Sequence, residues 1–345
     1  MLIGYARAST PEQSPASGVG GRRWQMTNGK LESARARAAL ARRLAVLVGL
    51  AALASGVGRL GAQCWLVDLA AHFSVYYLLL AALATPVLLA AGRRGSAGLA
   101  IAVVFFNAWV LQPVRPVPVG ACAAPLTVLQ ANVQGSATTA DQFAAWWAQQ
   151  GLDADVLALL EVPPAWESWL RARRLAYPVQ GGVLRDDPFG LWVLSRQPGV
   201  LTVEMAAGAI PWVRLALAGA ADRPPLEVLI LHPPPPMGRE LSQWRNQQLA
   251  TILALDSGRR LAVGDFNLTP WSPWNRRLLE NGRWWDAGAD WTPAGTWPAL
   301  LPAGLALPID RTWVTAGVTV AARRVLPSGN LPSDHRAVWS AVCVE

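Results

Sequence analysis

Residues 44 to 112 are the part of this sequence that most constrains its folding, because only four of their side chains are charged. A stretch this long and this apolar is typical of membrane-spanning helices, each of which needs about 20 predominantly apolar residues. The sequence predicts three transmembrane helices, at residues 44–64, 73–91 and 97–112. The alternative is a buried helical hairpin of a soluble protein.

The placement of arginines predicts how these helices are oriented. Residues 1–43 carry eight basic and two acidic side chains, and Arg93 and Arg94 lie between the second and third predicted spans. Basic segments next to a span stay on the cytoplasmic side of the membrane. We therefore expect a cytoplasmic N-terminus, with everything after Arg115 on the opposite side of the membrane.

The net charge of +8 is poor evidence for nucleic-acid binding, because the excess belongs to the N-terminal part. Residues 121–345 contain 18 basic and 19 acidic side chains, so this part has no large excess of positive charge to attract a polyanion. The three cysteines, at positions 64, 122 and 343, are too few and too scattered for a disulfide framework or a CxxC zinc site.

Composition divides the chain into four segments. We expect a disordered basic arm at 1–43, the three transmembrane helices at 44–112, a proline-rich linker at 113–124 and one folded domain at 125–345. The opening residues 1–13 (MLIGYARASTPEQ) resemble the start of serine recombinases, but the membrane segment follows where that family continues its soluble fold. Translation from Met26 would remove this segment, and a recombinase fragment is an alternative interpretation.

From residue 126 onward, short β-rich runs alternate with helical or turn segments. Thr139 and Gln142 form a capping-box pattern that opens a helix ending at Gln150, and apolar spacing predicts another helix over 239–255. Strands interleaved with helices predict an α/β or α+β domain with a fully buried sheet. The predicted strands span residues 126–133, 155–161, 189–195, 227–231, 260–263, 310–314 and 337–343.

Polar residues recur where these predicted strands begin or end, which is where functional groups gather in α/β folds. Taken singly, each has an ordinary structural explanation, such as turn formation by Asp and Asn side chains. The histidines are more informative, because the chain has only three. The series consists of Asn132, Glu161, His232, Asp265, Asn267, Asp310, Asp334 and His335.

Taken in order, this series resembles the endonuclease/exonuclease/phosphatase superfamily, which has a deoxyribonuclease-I-like fold. The family pattern is an Asn and a Glu on the first two strands, a later His, a GDxN turn, an Asp that starts a late strand, and a terminal SDH. The resemblance implies a four-layer sandwich of two packed β-sheets flanked by helices, here preceded by three transmembrane helices. The prolines after His232 look like a bacterial membrane-anchored branch, which implies the inner membrane and a periplasmic or extracellular catalytic domain.

The resemblance implies a metal-dependent hydrolase that acts on phosphoric ester bonds. Mg²⁺ prefers oxygen ligands and binds through one or two carboxylates plus the substrate phosphate. Glu161 is the principal candidate ligand, and Asn132 would assist by its amide oxygen or by a hydrogen bond. The resemblance adds Asp334 as a further metal contact, and Mn²⁺ is the alternative ion.

The other residues of the series would move protons and stabilise charge. Asp265 would orient or deprotonate the attacking water, and Asn267 would hold that water or the phosphate. His335 would donate to the phosphoryl oxygen while Asp310 holds its ring, and His232 would complete the clamp. Whether Asp265 or His335 accepts the proton stays open at this point.

The substrate also stays open between a nucleic acid and a phospholipid headgroup, because the fold hosts several phosphoesterase activities. The predicted spans make the lipid bilayer a partner, and the sequence does not predict an oligomeric state. A membrane-tethered binding module that kept the fold but lost turnover is the alternative function.

Overall fold

The computed structural model describes residues 18–219, 224–255, 258–280, 282–288 and 294–345, with side chains from residue 32 onward. The recombinase-like residues 1–13 lie outside these ranges. Four helices come first: α1 (Gly18–Gly58), α2 (Trp65–His72), α3 (Ser74–Ala90) and α4 (Arg94–Val110). The arm that was predicted to be disordered is helical from Gly18 onward. The run of Ala, Arg and Leu over residues 34–45 favours the helix there, because these residues have high helix propensity.

The N-terminal helices differ from the predicted three transmembrane helices. In the described part of the chain, one helix is long and apolar enough to span a membrane, over Glu32–Gly58. α2 and α3 would count as a second span only together, and they bend by 51° at their junction. α4 has 17 residues and is shorter than such a span. The prediction of three full spans is therefore wrong by helix length, since one helix is broken and one is short.

Twelve strands and four further helices follow in the described residues. The helices are α5 (Ala140–Gln149), α6 (Glu167–Arg171), α7 (Arg239–Leu253) and α8 (Pro273–Leu279). The strands are β1 (Leu126–Asn132), β2 (Val156–Leu160), β3 (Val179–Val183), β4 (Leu191–Ser195), β5 (Gly199–Met205), β6 (Pro211–Leu217), β7 (Leu226–Leu231), β8 (Arg260–Asp265), β9 (Trp284–Asp286), β10 (Asp310–Thr315), β11 (Val318–Val325) and β12 (Val338–Val344).

The strands form two mixed sheets of six strands each. Their orders are β11-β12-β1-β2-β4-β3 and β5-β6-β7-β8-β10-β9. β1 pairs in parallel with β2, and β7 with β8, whereas the remaining neighbours pair antiparallel. The seven predicted strands and the capping box at Thr139 are confirmed.

Alternation of side chains along the strands builds the layers, because successive residues of a strand face opposite sides of its sheet. Val128 of β1 and Val263 of β8 belong to one core between the two sheets. Leu129 packs on the outer side of the first sheet with Phe143 of α5, and Ala262 packs on the outer side of the second sheet with α7 and α8. The result is two packed sheets flanked by helices, as predicted.

Cys122 and Cys343 form a disulfide that joins the segment after α4 to β12. This single bond was not predicted from the sequence, because 221 residues separate the two cysteines. The same segment also touches the sheet through a bridge between Val119 and Val320. The disulfide therefore ties the end of the N-terminal region to the edge half of the first sheet.

Removal of this disulfide is expected to destabilise the protein. Cys122→Ser should lower the free energy of unfolding by about 2–4 kcal/mol, because the bond closes a long loop in the unfolded chain. Denaturant titration of the full chain measures the loss. Cys64→Ser is the matched control, since Cys64 is exposed and unpaired among the described residues. Equal stability of wild type and Cys122→Ser would contradict the prediction.

Candidate active site

Strand alternation brings polar side chains of both sheets into one cleft. Asn132 lies four residues after Val128 on β1, so it faces the second sheet. Asp265 lies two residues after Val263 on β8 and faces the first sheet. His232 follows β7 with the same parity as the inward-facing Ile230. These side chains therefore meet at one end of the core between the sheets.

Glu161 reaches the same cleft by breaking the alternation. The inward-facing residues of β2 are Val156, Ala158 and Leu160, so a regular strand would turn residue 161 away. Its backbone instead adopts a left-handed conformation with φ +58°, which is uncommon for a residue other than glycine. The side chain then lies 2.8 Å from the amide nitrogen of Asn132, measured from Oε1 to Nδ2.

The turn after β8 is shaped by Gly264 and Asn267. A Cβ on Gly264 would lie 1.8 Å from the carbonyl oxygen of Leu231 on the parallel neighbour β7, so only glycine fits here. Asn267 has a φ of +49°, which Asn tolerates better than most residues. Its backbone N–H donates to Asp265 Oδ1 at 2.9 Å, and its side chain donates to the Pro233 carbonyl at 3.0 Å. The turn thus fixes the orientation of the Asp265 carboxylate.

His335 lies between two carboxylates that face each other across an antiparallel strand pair. Asp310 of β10 is the register partner of Asp265 of β8. His335 Nδ1 is 2.9 Å from Asp310 Oδ2, and Nε2 is 3.7 Å from Asp265 Oδ2. His232 Nε2 approaches the same Asp265 oxygen at 3.6 Å and Glu161 Oε1 at 3.9 Å. All these side chains except Glu161 are buried, and the Glu161 side chain is 21% exposed.

The electrostatics of this cluster separate the charges of its members. Burial alone would lower the pKa of His335, but the carboxylates of Asp310 and Asp265 raise it to about 10. Burial would raise the pKa of Asp265, but His335 and His232 hold it below its usual value. Burial opposes the charged form of His232 as well, and Asp265 nevertheless raises its pKa. The favoured state has ionised Asp265 next to protonated histidines.

In metal-free protein, we expect His335 to stay protonated until the pH approaches about 10. Protonation of His335 contributes to the stability of the folded state. This contribution is fully present below pH 6.5, the usual pKa of histidine, and is lost as the pH rises through about 10. Asp310→Asn should move the pKa back toward 6.5, because it removes the closest negative charge. NMR titration of histidine-labelled protein in EDTA measures both values, and wild-type titration near pH 6.5 would contradict the prediction.

The three predicted metal ligands lie in two places: Asn132 and Glu161 contact each other, and Asp334 lies beside His335. Asn132 acts as a hydrogen-bond donor toward Glu161, while its amide oxygen accepts from the Gln134 backbone N–H at 3.0 Å. Asp334 lies beside His335, with Oδ1 3.9 Å from Nε2. Among the described residues, three ligand atoms within 4.8 Å of one another come from Asp265, Asp310 and His335.

Four supporting residues were not predicted to have a role in the site. Gln130 Nε2 donates to Asp310 Oδ1 at 3.1 Å, and Trp297 Nε1 donates to Asp334 Oδ2 at 2.9 Å. Ser333 Oγ accepts from the His335 N–H, and Gln134 Oε1 accepts from the Asp334 N–H. Gln130 shares the parity of Asn132 on β1, so strand alternation could have identified it. The other contacts depend on how distant loops approach each other.

Comparison with known protein families assigns the chain to a family. The model of the endonuclease/exonuclease/phosphatase family matches residues 129–335, a range that includes all eight site residues. The chain belongs to this family. Members of the endonuclease/exonuclease/phosphatase family generally hydrolyse phosphoester bonds and use divalent metal ions.

Solved structures agree with the assignment to the endonuclease/exonuclease/phosphatase family at the level of the fold. A family member from Beutenbergia cavernae is 18% identical with a TM-score of 0.50, and the match covers 64% of this chain and 71% of that one. A conserved protein of unknown function from Enterococcus faecalis is 17% identical with a TM-score of 0.50, covering 64% of this chain and 100% of that one. A comparison with curated proteins finds no match.

Proposed function

We propose that this protein is a membrane-anchored, Mg²⁺-dependent phosphoester hydrolase, a phosphodiesterase or phosphatase that uses water as the nucleophile. The observation that carries the proposal is the position of His335 between Asp265 and Asp310, with Glu161 and His232 at the same cleft. Within the described ranges, the ion-pair partners of these carboxylates are histidines rather than Arg or Lys. The cleft therefore combines several carboxylates with proton-carrying histidines.

The donor set fits a hard divalent cation. Glu161 offers a partly exposed carboxylate at the cleft, and Asn132 holds one of its oxygens by a hydrogen bond. Oxygen donors of this kind suit Mg²⁺ or Mn²⁺, whereas a zinc site would use His and Cys at tetrahedral spacing. Asp334, whose Oδ1 lies 3.9 Å from His335 Nε2, would add a second carboxylate. The bound ion would supply Lewis-acid stabilisation of the phosphate charge.

The remaining side chains would divide the work of hydrolysis. Both ring nitrogens of His335 face carboxylates, which favours the doubly protonated ring and a role as donor to a phosphoryl oxygen. Asp265 would then orient the attacking water and accept its proton, since the neighbouring His335 and His232 keep its carboxylate ionised. Asn267 would hold the water or the phosphate, and His232 would donate from the opposite side.

Membrane anchoring has support from the first helices and from the disulfide. α1 contains the apolar stretch Glu32–Gly58, which is long enough to cross a bilayer. Arg35, Arg37, Arg42 and Arg43 lie in the N-terminal half of this segment, ahead of its most apolar part, which favours a cytoplasmic N-terminus. The Cys122–Cys343 disulfide favours an oxidising compartment for the catalytic domain, such as the periplasm of a bacterial cell.

The rim of the site favours a phospholipid headgroup over a nucleic acid as the substrate. Trp297 contacts Asp334, and its side chain is 36% exposed; Leu300 is 93% exposed. Tyr76 of α3 donates a hydrogen bond to the Leu305 carbonyl, so this apolar rim adjoins the anchoring helices. An apolar surface next to membrane helices is suited to contact with lipid. The nearly neutral charge of residues 121–345 does not favour a polyanion.

The full chain in detergent micelles or nanodiscs tests this function with three substrates. We expect Mg²⁺-dependent release from bis-p-nitrophenyl phosphate and from phospholipid, and no release in EDTA. Asp265→Asn is the control against contaminating activity. Faster cleavage of plasmid DNA than of phospholipid would contradict the lipid preference. An absence of metal-dependent release from all three would instead favour a binding module without turnover.

A further inference from the structure

Arg245 of α7 connects the N-terminal helices with the candidate active site. Its side chain is buried, with 1% exposure, and its guanidinium donates in three directions. Nη2 donates to Asp68 Oδ2 of α2 at 2.8 Å, and Nη1 donates to the backbone carbonyl of Asn267 at 3.1 Å. Nε donates to Asn246 Oδ1 at 3.0 Å. A single rigid group thus bridges α2 and the turn that carries Asp265.

Helix α2 also holds the residues that follow this turn. The second carboxylate oxygen of Asp68 accepts from Ser272 Oγ at 2.7 Å. His72 Nδ1 lies 2.9 Å from Thr269 Oγ1, and the His72 carbonyl accepts from Trp271 Nε1 at 3.0 Å. These side chains are buried, so the segment from residue 267 to residue 272 is held by polar contacts out of reach of solvent.

The contacts of Asn267 carry this constraint into the site. Its carbonyl is bound by Arg245 and its N–H by the Asp265 carboxylate. The backbone at Asn267 is left-handed, a conformation that persists where surrounding contacts determine it. A shift of the Asn267 peptide would therefore reorient the Asp265 carboxylate. Displacements of about 1 Å at a catalytic group can cost 10²-fold in rate.

The chemistry of the Asp68–Arg245 ion pair indicates a role in positioning the Asp265–Asn267 turn, and not only a contribution to stability. Taking two charges out of water is costly, and well-packed apolar residues often replace a buried ion pair without loss of stability. The guanidinium has a planar fork that can bind a carboxylate and a carbonyl at the same time. A lysine ammonium at the same place could keep the charge but would lack this fixed geometry.

We propose that Asp68 and Arg245 are positioning residues, through which the N-terminal helices hold the Asp265–Asn267 turn in its working geometry. The inference rests on the proposed function, because its kinetic consequence requires phosphoester hydrolysis. Turnover by the catalytic domain then depends on helix α2, which lies outside the range matched by the family.

Two substitutions in the full chain test the proposal with bis-p-nitrophenyl phosphate and saturating Mg²⁺. Arg245→Lys and Asp68→Asn should each lower kcat by ~10- to 100-fold and leave KM within about twofold, since neither residue reaches the cleft. Hydrogen exchange of the amides at 266–272 should become faster in both. Arg276→Gln is the matched control: Arg276 of α8 donates to the carbonyl of Gln112 after α4, at 2.8 Å, without touching the turn.

The outcomes separate this proposal from the proposed function. Normal kcat in Arg245→Lys, or equal kcat loss in Arg276→Gln at a matched loss of melting temperature, would overturn the positioning role. If wild type shows no turnover, the proposed function fails, and hydrogen exchange still decides about positioning. Faster exchange at 266–272 in Arg245→Lys but not in Arg276→Gln would support it, and unchanged exchange would overturn it.

Discussion

His335→Ala is expected to lower kcat for phosphoester hydrolysis by at least ~10², the scale of losing an acid–base or electrostatic group. The ring lies 2.9 Å from Asp310 and 3.7 Å from Asp265, so its removal leaves buried Asp310 without its histidine partner and buried Asp265 with His232 alone. Their mutual repulsion would also weaken the binding of an anionic phosphate. Steady-state kinetics of the full chain with Mg²⁺ measure the effect.

Asp310→Asn tests whether the reaction needs the positive charge of His335 or only its ring. The amide can still accept from the ring Nδ1 but no longer attracts a proton to it. We expect a smaller loss of kcat than in His335→Ala, with the alkaline limit of activity moved to lower pH. Melting curves establish whether both variants remain folded. Turnover like that of wild type in His335→Ala, in a folded sample, would exclude His335 from the reaction.

Glu161→Gln is expected to have the second large effect, on the dependence of activity on Mg²⁺. The substitution keeps the size of the side chain but removes the negative charge that a hard cation requires. The Mg²⁺ concentration for half-maximal activity should rise by ~10-fold or more, as expected for the loss of one charged ligand. Activity at saturating Mg²⁺ should also fall. Titration of the EDTA-treated full chain with Mg²⁺ measures both.

Glu167→Gln provides the matched control for this substitution. Glu167 lies six residues further along the chain and makes an exposed ion pair with Arg171. Exposed pairs contribute little to stability, so this variant should titrate with Mg²⁺ as wild type does. Identical Mg²⁺ curves for Glu161→Gln and Glu167→Gln would remove Glu161 from the proposed metal site.

More of the site residues than of the residues that support them could be predicted from the sequence. Alternation along β1, β7 and β8 was sufficient to put Asn132, His232 and Asp265 on the inward faces of strands. It could not predict Glu161 correctly by parity, because the left-handed backbone at that residue reverses the direction of the side chain. Glu161 was identified instead by its position at the end of a predicted strand. Strand alternation is a local pattern of the sequence, whereas the left-handed backbone at Glu161 is an irregularity that alternation does not predict.

Most pairings between distant segments could not be predicted from the sequence. Five of the twelve strands in the described residues were not predicted, namely β3, β5, β6, β9 and β11. β3 contains two adjacent glycines and β9 has only three residues, so neither gives a clear alternation. The bond between Cys122 and Cys343 joins residues at opposite ends of the domain. The predicted spans leave residues 65–72 as a connecting loop, whereas these residues form helix α2, whose Asp68 is buried against Arg245. Contacts of this kind depend on the approach of separate elements.

By itself, the amino-acid sequence determined seven of the strands and the polar residues at their ends, because side-chain periodicity and short motifs are local properties of the chain. The family and the two-sheet architecture followed from the resemblance that those polar residues carry. Only the tertiary structure decided which carboxylate faces each histidine, how the Asp265–Asn267 turn is held, and where the N-terminal helices meet the domain. These features depend on distances between segments as far apart as Asp68 and Arg245, and no local pattern encodes such a distance.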